Sequence, residues 1–181
     1  MIWNIIIRGT CLCFGVSLLS LAPQILALGG SHGLYPIRHF LQKAASETNN
    51  SLSQHKIIQS LCLFFQYPTL FWIFPSSDKY LTMITYGAGL IALGGMFNIV
   101  SPMLAIFIAW LVFLSMATML SEFICFPWDY LLLEIGFAIL ILLSACDDNS
   151  IYHNNIPLLT KWPFYVLFWR LMLGMGEICL L

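Results

Sequence analysis

One stretch constrains this chain more than any other: Phe126 to Ala145, which reads Phe-Pro-Trp-Asp-Tyr-Leu-Leu-Leu-Glu-Ile-Gly-Phe-Ala-Ile-Leu-Ile-Leu-Leu-Ser-Ala. Pro127 stands where a helix can begin without losing a hydrogen bond, since the first amides of a helix have no intrahelical partner. Trp128 and Tyr130 are residues that favour a membrane–water boundary. Asp129 falls in the first turn, where the unpaired amides favour negative charge. Beyond them the run is apolar on every face, which a helix half-exposed to water is not. It is long enough to cross a hydrocarbon layer of roughly 30 Å. Glu134 interrupts it about two turns in. A carboxylate near the middle of a membrane helix costs roughly 2.5–3.5 kcal/mol on insertion scales, so it calls for a partner or a purpose.

The rest of the chain does not dilute that signal. Of 181 residues, 60% are hydrophobic and 8% charged, against roughly 25% charged in soluble chains. The expected fold class is all-α, a polytopic membrane helix bundle of about five spans with one re-entrant or interfacial segment. The lipid bilayer is the expected surrounding. A net charge of −1 suggests no nucleic-acid partner. Residues 1–181 form a single membrane domain. The six cysteines form no framework. Cys125 and Cys146 bracket the central run and so lie at opposite membrane faces, beyond the reach of a disulfide. No metal-ligand spacing is present, and no cofactor is called for.

The spans are expected near 10–28, 81–100, 103–120, 127–145 and 163–181. Pro23 and Gln24 should kink the first, whose freed carbonyl then needs another partner. Gly29 to Pro36 is a turn-rich exit. The polar loop over 30–60 is the largest water-facing segment. Residues 61–74 are apolar but short and interrupted by Gln66 and Pro68, which suits an interfacial segment better than a crossing. Ser77 or Asp78 reads as a helix cap. Ala88, Ala92 and Gly95 form a small-residue face that lets two membrane helices approach. Asp147, Asp148 and His153 read as a solvated loop, lacking a spaced ligand set. Lysine and arginine favour a cytoplasmic loop between the first two spans, with Arg38, Lys43, Lys56 and Lys79 there against Arg8 and Lys161 opposite.

The last span carries Arg170, Gly174, Gly176 and Glu177. Arg170 and Glu177 project from nearly the same helix face. Counting at about 1.5 Å per residue, Glu177 comes roughly to the depth of Glu134, with Arg170 about 8–10 Å deeper. Glu134, Glu177 and Arg170 are therefore expected to form one polar cluster between the last two spans, with Asp129 near its mouth. One cation with two acids resembles no complete catalytic set. A structural clasp is the plainer reading, and a catalytic or proton-handling site the sharper one.

The segment Phe126-Pro127-Trp128-Asp129-Tyr130-Leu131-Leu132-Leu133-Glu134-Ile135-Gly136-Phe137 resembles the signature of the lipase maturation factor family. Three further stretches are similar to family segments in the same order: Gly30 to Pro36, Pro68 to Trp72, and Trp169 to Gly176. The resemblance implies a multi-span membrane protein that assists folding or maturation of secreted lipases or other exported proteins. It implies the endoplasmic reticulum membrane in a eukaryote and the inner membrane in a bacterium. It also puts the first long loop on the lumenal or periplasmic side, against the charge count, and outweighs so thin a margin. Family members continue into a large soluble domain, so a chain ending at Leu181 reads as a truncated or degenerate member. Where the family tends to carry a lysine stands Cys179, and Glu177 intrudes two residues earlier. The absent lysine weighs against the alternative of a carboxylase-like membrane enzyme, which needs a base to start its chemistry. A third alternative is a non-catalytic membrane module that packs against a partner.

Overall fold

The computed structural model describes residues 2–43, 67–72, 77–124, 126–146 and 157–180, with the helix path alone over 174–180. Every regular element among them is helical. Helix α1 covers Ile2–Leu21, α2 Ile25–Gly29, α3 Asp78–Met96, α4 Pro102–Met119, α5 Pro127–Ala145 and α6 Leu158–Leu180. Residues 37–43 are helical too, and Leu70–Trp72 make one 3-10 turn. Helices α1, α4 and α5 are long and apolar enough to cross a membrane. The protein is an all-α membrane helix bundle.

The ends of these helices follow from local chemistry. Helix α1 starts at Ile2, earlier than the pattern after Arg8 suggests, because Ile2, Trp3, Ile5, Ile6 and Ile7 extend the apolar run and Arg8 is exposed. Pro23 breaks it outright instead of kinking it. Ala22 N still donates to Leu18 O at 2.9 Å; Gln24 N then turns back to Leu21 O at 3.0 Å, and α2 begins afresh. Helix α3 stops at Met96, since Asn98 adopts a left-handed φ of 58°, a conformation asparagine tolerates better than most residues. Ser101 Oγ then accepts the amide of Leu104 at 3.4 Å, and Pro102 opens α4. Helix α6 begins at Leu158, five residues before Pro163. Thr160 donates to the Pro157 carbonyl through both its amide (3.2 Å) and its hydroxyl (2.8 Å). Pro163 so near the start gives up one intrahelical bond, that to Leu159 O.

Helices α1 and α3 run antiparallel at close range: Cys11 lies beside Gly95, and Leu18 and Leu19 beside Gly89. A Cβ at Gly15 would fall 2.7 Å from Leu93 and 3.3 Å from the Gly89 carbonyl. Ala88, Ala92 and Gly95 are all buried. Helix α4 sits centrally, against α1, α3 and α5, and buries Ile106, Ala109, Val112, Phe113 and Met116. Phe14 of α1 meets Phe113 edge-on at 5.9 Å. The turn at Leu70 docks on α4, where Leu70 N donates to the buried Ser115 Oγ at 3.0 Å. Residues 61–66 and 73–74 of the expected interfacial segment lie outside the described residues, as do Asp147, Asp148 and His153. Among the described residues the main neighbour of α6 is α5, and Phe164 meets Trp3 of α1 at 5.2 Å.

Candidate functional site

Helix α5 presents its signature run to two different surroundings. Its inner face is all packing. Gly136 is buried, and a Cβ there would stand 2.7 Å from the Phe14 ring and 2.9 Å from Trp110 Cδ1. The bare backbone lets both rings in. Trp110 Nε1 uses that proximity to donate to the Leu133 carbonyl at 2.9 Å, and Phe137 packs on the same indole at 5.9 Å. At the water-facing start, Phe126 and Trp128 are exposed and stack on each other, with ring centres 4.6 Å apart and planes 7° apart. Asp129 is half-buried in the first turn, and its amide donates to Phe126 O at 3.1 Å.

The outer face of α5 holds the charge. Arg170 Nη1 of α6 donates to Glu134 Oε1 in a direct ion pair. The structure thus joins two of the residues singled out in the sequence, across 36 positions of chain. It does not enclose them. The Glu134 side chain is 34% exposed and that of Arg170 70%. The pair lies at the outer seam of α5 and α6, with Glu134 half-buried and Arg170 exposed. Gly174, Gly176 and Glu177 continue α6. The backbone at Glu177 lies about 10 Å further along the helix than that at Arg170, and its side chain is outside the described residues.

A second polar contact, which the sequence did not reveal, ties the glycine-rich exit of α2 to the start of α3. Asp78 accepts the Ser31 amide at 2.9 Å and the Ser31 hydroxyl at 2.6 Å. These two bonds, aided by the nearby Arg38 and His32, hold its carboxyl below the usual aspartate range. Gly30 and Gly33 allow the loop its shape. A Cβ at Gly30 would collide with Leu26 O, and one at Gly33 would sit 2.8 Å from Leu28 O. Ser31 and Asp78 are 47 residues apart, so no local pattern announces their contact. Trp110 was legible in principle, since an indole N–H inside an apolar span needs an acceptor.

Among the described residues, no group of three His, Cys, Asp or Glu side chains could hold a metal ion. What the arrangement offers chemically is one acid bound to one base on a membrane-embedded surface, and a latched loop at the bundle's end. The family model of the lipase maturation factor transmembrane domain matches residues 1–181, the whole chain. The chain belongs to that family. No curated protein and no solved structure matches it. As a lipase maturation factor membrane domain, the chain divides its signature between two tasks. Leu133 and Gly136 seat α5 against α1 and α4, and the exposed Phe137 flanks the Trp110 indole. Trp128 stands exposed and Glu134 lies half-buried at the outer surface.

Proposed function

We propose that this chain is a lipase maturation factor-like integral membrane protein that assists the folding or maturation of secreted lipases or of other exported proteins. The observation that carries the reading is the family match over the full chain. The signature supports it, because only part of it is used up by internal packing. Trp128, at the start of α5, is turned to the outside, where a client or partner would meet it. The membrane concerned is that of the endoplasmic reticulum in a eukaryotic cell and the inner membrane in a bacterium.

The test is complementation. The chain is expressed in cells that lack their own maturation factor, together with a secreted lipase. Lipase protein and lipase activity are measured separately in the medium. The expected result is a rise in activity per unit of secreted lipase. If the chain is present in the membrane and the specific activity stays at its background value, the reading fails.

A further inference from the structure

On α6 the side chains of Val166 and Leu173, four before and three after Arg170 and so on its face, are exposed, and between them is Arg170, bound to Glu134 of α5. A guanidinium has five N–H donors and a carboxylate two acceptor oxygens. One nitrogen of Arg170 meets one oxygen of the half-buried Glu134, and the largely exposed guanidinium keeps its other donors open to the surroundings. In α5, Glu134 lies about 10 Å from the helix start, which is hydrocarbon and not water. Lipid tails accept and donate nothing there, so an ion pair left against them is expensive.

The occupant that would relieve this cost is defined by charge. An anionic headgroup satisfies Arg170 but is repelled by the carboxylate beside it. A cationic group meets the opposite conflict. What fits is a surface with both charges side by side, at the same depth and in reversed order. A second copy of this chain has that surface. A two-fold axis along the membrane normal keeps every residue at its depth and reverses left and right, so each residue meets its counterpart reciprocally. We propose that the α5–α6 face is a homodimer interface in which Arg170 of each copy bridges its own Glu134 and Glu134 of the partner subunit. Four charges then form a neutral ring, and the exposed Val166 and Leu173, about one turn to either side of Arg170, pack around it. The proposal is independent of what the protein matures.

The experiment reads the oligomeric state of the full chain in lipid nanodiscs and liposomes, by light scattering and by single-molecule photobleaching. The wild-type chain is expected to dimerise. Glu134→Arg and Arg170→Glu each place two like charges on the face, so each alone should be monomeric. Mixed, the two variants should form a heterodimer, seen by energy transfer between differently labelled copies. Glu134→Gln keeps the shape and drops the charge, and should weaken the dimer about thirtyfold or more. A wild-type chain that stays monomeric, including one holding an anionic lipid at Arg170, overturns the proposal. So does a Glu134→Gln chain that dimerises as well as the wild type, or a mixture of the two charge variants that does not pair.

Discussion

Glycine 136 shows how one missing side chain can organise three helices. Its bare backbone admits Phe14 of α1 and Trp110 of α4 to within contact of α5, and the indole is then near enough to bond Leu133 O. Gly136→Ala would drive a methyl against the buried Phe14 ring and the partly buried Trp110 indole. It is expected to cost about 1–3 kcal/mol, the usual range for overpacking, read as a lower thermal midpoint in detergent or nanodiscs. The Glu134–Arg170 pair belongs to the same scale. Because each group is the other's direct partner, the losses from Glu134→Leu and Arg170→Leu should not add. A double-mutant cycle on protein diluted to one copy per nanodisc should give a coupling of about 0.5–3 kcal/mol. Simple additivity would show that the contact carries no net energy within one chain.

Between elements, the decisive contact is the antiparallel approach of α1 and α3. Lipid supplies no hydrophobic push between helices, so close packing of small residues has to hold them. Gly89 lies in that seam, where an added Cβ would come within 2.9 Å of Leu19. Gly87 lies half a turn away with nothing within 4 Å of an added Cβ; it borders an apolar cleft of about 380 Å³ between α3 and α4. The two glycines should therefore respond in opposite ways. Gly89→Leu is expected to part α1 from α3 and expose α1 to protease. Gly87→Ala should be neutral or should stabilise by up to about 1 kcal/mol, because alanine is the better helix former. Parallel unfolding curves for the two variants decide this, and equal losses would mean that the seam is not where α1 and α3 meet.

At the scale of the whole molecule, the Ser31–Asp78 contact fastens the exit of the first hydrophobic segment to the start of α3. Asp78 stands at the polar end of α3, ahead of its apolar run. Its carboxyl is held below the usual range first by the Ser31 hydroxyl and then by the Ser31 amide. A group with a depressed folded-state pKa stabilises the fold above its unfolded pKa and loses that effect as pH falls through the folded value. Asp78→Asn should therefore lower the thermal midpoint at neutral pH, with the gap to wild type closing as the medium is acidified through that value. A gap that stays constant with pH would assign the effect to packing instead of charge. In the bilayer this latch closes one end of the bundle, while the exposed ion pair marks one of its sides.

Much of this protein was written in its local chemistry. A run such as Phe126–Ala145 has no soluble alternative, because backbone in lipid must satisfy its own hydrogen bonds, and its motif pointed to the family that the whole-chain match supports. The break at Pro23 has an equally local cause, although the pattern suggested a kink and not a new helix. Arg170 could be matched with Glu134 because unpaired charge at depth is costly. That they meet at the outer seam was not readable. Periodicity tells which face of a helix is polar, but not how many neighbours surround it, and among the described residues the main neighbour of α6 is α5. Nor could local pattern link Ser31 to Asp78 or Trp110 to Leu133. Those contacts depend on how helices distant in sequence are set side by side, and only the three-dimensional packing of α1, α3, α4 and α5 decides that.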